Sequence, residues 1–190
     1  MFKTYLELGF DHILDLNGYD HILFIIALCA VYKYAQWKNI LILITAFTIG
    51  HSLTLALAAL DLVVFRADII EFLIPLTILF TALFNVLKKG DNHDRVMANY
   101  GLALFFGLIH GLGFSNFFKS LLGREENITG PLLAFNIGVE LGQIVIVGIT
   151  IFIAYLFMSV LKARQRDWNL FISGVAAGIS FLLLMDAKFW

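Results

Sequence analysis

Apolar residues gather along this chain in long blocks, separated by short polar breaks, at about 22–37, 39–60, 68–87, 97–118, 131–161 and 168–187. A helix crosses a bilayer with about 20 predominantly apolar residues, so each block is read as one membrane-spanning helix. The opening "MFKTYLELGF" has no apolar h-region of a secretory signal and reads instead as an amphipathic surface helix over residues 1–16. The pattern therefore predicts an all-α membrane protein: a bundle of six transmembrane helices preceded by a short amphipathic N-terminal helix. Residues 1–190 form a single integral membrane domain, since the spans leave no room for a soluble one.

Composition supports this reading. The chain is 61% hydrophobic and only 14% charged, against roughly 25% charged in an average globular domain. Its one cysteine, Cys29, lies inside the first apolar block. Neither a disulfide framework nor a thiolate cluster is available, so any metal has to be held by nitrogen and oxygen. A net charge of −1 without a basic stripe gives no footprint for nucleic acid. Lys33, Lys38, Lys88, Lys89, Arg95, Lys162, Arg164 and Arg166 are eight of the thirteen basic residues; Lys33 lies near the end of the first span and the others in the breaks after the first, third and fifth. Positive charge concentrates in short cytoplasmic loops, so both termini are expected outside, across what would be a bacterial inner membrane.

With that orientation, the ionisable residues inside the apolar blocks share one side. Asp20 and His21 open the first span, Glu71 lies just inside the third, and His51, His110 and Glu140 lie in the second, fourth and fifth. All fall within roughly 15 Å of the outer face at 1.5 Å per residue. Ionisable groups at such depth are functional candidates, because leaving them unpaired costs several kcal/mol. The inner halves offer little beyond Thr, Ser and an occasional Asn.

Three local patterns suggest how these groups meet. In "FTIGHSLTLA" and "FFGLIHGLGFS", Gly50 adjoins His51, while Gly107 and Gly111 flank His110, so that neighbouring helices can approach closely. In "FNIGVELGQ", Asn136, Glu140 and Gln143 stand at i, i+4 and i+7, a polar stripe in which amides could orient a carboxylate, or a seam holding helices together. In "DHILDLNGYDH", an unbroken helix would point His12 and His21 to opposite sides, but Asn17-Gly18 is a turn signal that lets both face one site. His21, His51 and His110 would then supply imidazoles, with Asp20, Glu71 or Glu140 as carboxylate ligand or orienting group. His12 is either a further ligand or a solvated surface histidine. His93, in "KKGDNHDR", reads as solvated. Mixed nitrogen and oxygen donors suit Ni, Co, Zn, Fe or Cu better than Mg or Ca.

These segments resemble the HupE/UreJ family of hydrogenase and urease accessory membrane proteins. The likeness rests on His12, Gly18, Asp20 and His21 in "HILDLNGYDHILF", "GHSLTL" at 50–55, "GLIHGLGF" at 107–114, "FNIGVELGQ" at 135–143, and Glu71 in "IIEFLIP". It implies a nickel or cobalt permease working alongside metalloenzyme maturation proteins. Two functions stay open. The leading one is a transporter for a divalent transition metal, bound by His21, His51, His110, Asp20 and Glu140. The other is a membrane-embedded zinc hydrolase acting on a lipid or peptide near the outer leaflet, with Glu140 or Asp20 as base and Ser52 or Ser115 polarising the substrate. A metal chaperone or assembly partner is a blander third.

Overall fold

The computed structural model of the chain describes residues 2–87, 95–123 and 127–187. His93, Lys88, Lys89, Arg124, Glu125, Glu126 and Lys188 lie outside them. The described residues form helices α1 (Phe2–Leu14), α2 (Asp20–Cys29), α3 (Trp37–Ala59), α4 (Ala67–Leu87), α5 (Arg95–Leu122), α6 (Thr129–Ser159) and α7 (Gln165–Asp186), with a single 3-10 turn at Tyr34–Gln36. No strand occurs among them. Among the described residues, five helices are long and apolar enough to cross a membrane: α3 together with its leading turn, α4, the part of α5 from Asn99, α6 and α7. The protein is an integral membrane protein built of helices.

The first expected span, 22–37, is where sequence and structure part. Only ten residues, Asp20–Cys29, are α-helical there, about 15 Å at 1.5 Å per residue and half the hydrocarbon thickness. The apolar block conceals a helix end and a new helix start. Lys33 is extended, and its backbone N–H donates to Gln36 Oε1 at 2.9 Å, so the 3-10 turn and then α3 begin afresh. A helix that stops inside a protein leaves its last carbonyls without donors. Here side chains add donors: Asn85 Nδ2 donates at 2.7 Å to the Ala27 carbonyl, which also accepts from the Ala30 N–H, and Gln165 Nε2 donates to those of Ala30 and Tyr32 at 3.0 and 3.1 Å.

The N-terminal segment is amphipathic, with Lys3, Glu7 and Asp11 exposed opposite a buried line of Tyr5, Gly9 and Ile13. That line faces protein, pressed along α6. A Cβ added at Gly9 would stand 2.0 Å from the Phe135 carbonyl oxygen, and one at Gly138 2.0 Å from that of Leu6. Pairing of Leu6 and Phe10 with Gly138, then of Phe10 and Ile13 with Gly142, makes α1 and α6 run in the same direction. The same construction joins α3 and α5. A Cβ at Gly50 would meet the Leu104 carbonyl oxygen at 2.2 Å, and one at Gly107 that of Phe47 at 2.1 Å. Both pairs use glycine to bring backbones together, the small-residue packing that joins helices where no hydrophobic force is available. Helix α7 lies antiparallel to α4, tied by Asn169 Nδ2 donating to the Asn85 carbonyl at 2.9 Å.

Candidate metal centre

Helix α1 ends at Leu14 and α2 begins at Asp20. Between them the Asn17 backbone N–H donates to Asp15 Oδ1 at 2.9 Å, a local turn that interrupts the helix. Nine positions apart in sequence, His12 and His21 lie with ring centroids 4.6 Å apart. The α3–α5 pair brings in the other two imidazoles: His51 is 6.0 Å from both His12 and His21, and His110 is 5.2 Å from His21. His51 and His110 are fully buried and His21 is 4% exposed. Aromatic rings close around them, His12 lying 3.9 Å from Phe114, and His110 at 5.0 Å from Phe24 and 5.2 Å from Phe47.

Ring nitrogens rather than rings decide what the cluster can hold. Thr77 Oγ1 donates to the Ile74 carbonyl at 2.7 Å, which uses its single proton. At 3.1 Å from His110 Nε2, that hydroxyl therefore accepts, Nε2 carries the hydrogen, and Nδ1 is left with its lone pair. Asp20 Oδ1 accepts from the His21 backbone N–H at 2.9 Å and sits 3.1 Å from His21 Nδ1. A carboxylate accepts only, so Nδ1 donates and Nε2 keeps the lone pair. Such partners orient imidazole toward a metal and raise its basicity. The nitrogens so directed, His110 Nδ1 and His21 Nε2, are buried without a hydrogen-bond partner, as are His12 Nε2 and both nitrogens of His51. An unsatisfied buried polar group costs about 1–3 kcal/mol, and a cation among these nitrogens would satisfy several at once.

The donors fall into two groups whose ligand atoms lie within 4.8 Å of one another: His12, His21 and His51, and Asp20, His21 and His110. His21 belongs to both. Three borderline nitrogens, or two with a carboxylate oxygen, fit a divalent transition metal. From the Asp20 side a cleft of about 300 Å³ leads outward, lined by Asn17, Gly18, Glu71, Pro75 and Asp186 among others. Only the carboxylate of the Asp20–His21 pair is reachable from it, its side chain being 26% exposed against 5% for the ring.

Several expected residues are not members of these two groups. Glu140 accepts from Thr45 Oγ1 at 2.6 Å, a hydrogen bond between α3 and α6 on an exposed part of the bundle. Ser52 and Ser115 donate to carbonyls of their own helices, those of Thr48 and Leu112. Glu71 is an exposed wall of the cleft. Gln143 is fully buried and accepts from Thr48 Oγ1 at 2.9 Å, one turn from His51, with Nε2 unpartnered; Asn136 Oδ1 is unpartnered as well. Thr77 and Phe114 went unnoticed in the sequence, where a threonine or phenylalanine within an apolar block carries no distinguishing signal.

No curated protein and no solved structure matches the chain. A family model described as HupE / UreJ protein matches residues 1–189, and on that match, covering nearly its whole length, the chain belongs to the HupE/UreJ family.

Proposed function

We propose that the protein is a membrane transporter for a divalent transition metal, nickel or cobalt, whose cargo is held by His12, His21, His51, His110 and Asp20. The observation that carries this reading is the convergence of four imidazoles from α1, α2, α3 and α5, with unpartnered ring nitrogens. The family supports a nickel or cobalt transport or accessory role. On this reading α1 and α2 together make a sixth crossing, broken at residues 15–19. The Tyr5 hydroxyl meets the Leu121 carbonyl at one end of the bundle, and α2 ends against Asn85 and Gln165 at the other. A broken helix at mid-membrane is how transporters place polar groups and chain ends beside a cation. The cleft bounded by Glu71 and Asp186 is its access route, opening on the side of the termini.

The zinc hydrolase is not favoured. Of its two bases, Glu140 is bound to Thr45 and Asp20 is engaged by His21, and its serines donate to helix carbonyls.

Uptake of nickel or cobalt into liposomes holding the purified protein tests the proposal. His51→Ala and His110→Ala should each abolish uptake while helix content is kept. Undiminished flux in both variants would remove the imidazole cluster from the path.

A further inference from the structure

The two ring nitrogens of His21 face different neighbours. Nδ1 lies 3.1 Å from Asp20 Oδ1, and that carboxylate and His110 complete one group of donors. Nε2 is buried and unpartnered, and His12 and His51, whose rings are 4.6 and 6.0 Å from that of His21, complete the other. His21 is thus the member common to both groups, with Asp20 and His110 on one side and His12 and His51 on the other.

We infer that the centre has two cation positions separated by the His21 ring: a first of Asp20, His21 Nδ1 and His110 Nδ1 at the head of the cleft, and a second of His12, His21 Nε2 and His51 beyond it. This rests on the metal reading proposed above. Three further observations support the division. Asp20 lines the cleft, while His51 is fully buried, so the positions differ in their access to solvent. The ligand sets differ in kind, one carboxylate oxygen with two nitrogens against three nitrogens, and the first carries the formal negative charge that helps strip water from an arriving dication. The hydrogen now between Asp20 and His21 occupies the place of the first cation. When that cation binds while the second position is filled, the proton leaves through the cleft and the ring bridges two metals as imidazolate. The step balances: the His21 Nδ1 proton goes to solvent as the ring becomes imidazolate, so the centre gains one positive charge with the arriving dication instead of two. Two like charges across one ring repel, so whichever cation arrives later binds more weakly than the one already held. Such a pair suits transport: an ion arriving at the cleft weakens the hold on the one beyond it, the logic by which adjacent sites in channels release ions.

Cobalt(II) titration of the full-length protein in detergent, with bound metal measured per chain and the visible spectrum followed, tests the inference. The wild type should take up two cobalt ions in two resolved steps with different spectra. Asp20→Asn and His110→Ala should each keep one ion with the all-nitrogen spectrum. His12→Ala should keep one ion with the oxygen-containing spectrum, and His21→Ala should lose at least tenfold in affinity at both positions. Helix content is checked throughout, and His12→Gln and His110→Gln replace any Ala variant that fails to fold. Saturation of the wild type at one ion overturns the two positions and leaves one composite centre. A second ion that persists in Asp20→Asn overturns them too, since it then sits on surface carboxylates. No cobalt bound by the wild type under any condition would instead overturn the transport reading itself.

Discussion

At the scale of single residues, a histidine in an apolar helix is ambiguous until its second nitrogen is accounted for. Thr77 resolves His110 by having its only proton committed to Ile74, which forces the imidazole to present Nδ1 to the cluster. Thr77→Val removes that acceptor while keeping shape, so His110 can rotate or change tautomer. Metal affinity should fall about 10–100-fold, the usual effect of deleting such a partner. Thr77→Ser should restore most of it, as read by competition with a chromogenic chelator, and equal affinities in all three proteins would show that the hydroxyl does not orient the ring. Asp20 and the imidazoles stood out in the sequence because ionisable side chains at that depth are costly. Glu140 stood out for the same reason, yet its partner is Thr45. Depth along a helix is readable from residue number, whereas the direction of a side chain around the helix depends on which neighbour packs against it.

Among elements, glycine placement decides which helices touch backbone to backbone. Gly107 on α5 stands where a Cβ would come within 2.1 Å of the Phe47 carbonyl oxygen, and backbone cannot swing aside as a side chain can. Gly107→Ala should force α3 from α5, lowering stability by about 1–3 kcal/mol or more and weakening metal binding, because His51 and His110 ride on those two helices. Gly174 and Gly178 on α7 have nothing within 4 Å of an added Cβ. Gly174→Ala should therefore leave thermal stability unchanged or raise it by about 1 kcal/mol through helix propensity, and a loss equal to that of Gly107→Ala would mean that the close approach is not what counts. Asn85 makes a second kind of link, donating to Ala27 and accepting on its carbonyl from Asn169. Asn85→Leu leaves the end of α2 short of a donor and should cost about 1–3 kcal/mol in thermal unfolding. Five long helices were legible from apolar block length alone, to within a few residues at their ends. The block at 22–37 misled because α2 and the start of α3 are both apolar, and the break between them is held by Asn85 and Gln165 from distant parts of the chain.

For the whole molecule, the distribution of positive charge predicts both termini outside. In a Cys29→Ser background, cysteines placed at exposed Phe2 and Leu62 should label from outside with a membrane-impermeant thiol reagent, and one at exposed Leu161 only after permeabilisation. Labelling of Leu62→Cys from inside alone would reverse the orientation and turn the cleft inward. Labelling of Phe2→Cys from the side opposite Leu62→Cys would show that α1 and α2 do not cross the membrane together. The amino-acid sequence by itself determined that this is a helical membrane protein, which residues are too polar for lipid, and that the chain breaks near Asn17-Gly18, because hydropathy, charge and turn preference act locally. Only the tertiary structure decided that α1 lies against α6, that α2 is a half-length helix, and that His21 belongs to two groups of donors while Glu140 pairs with Thr45. Those outcomes depend on which backbones can approach at glycine and which distant amides satisfy a helix end, and these are relations between residues far apart in the chain.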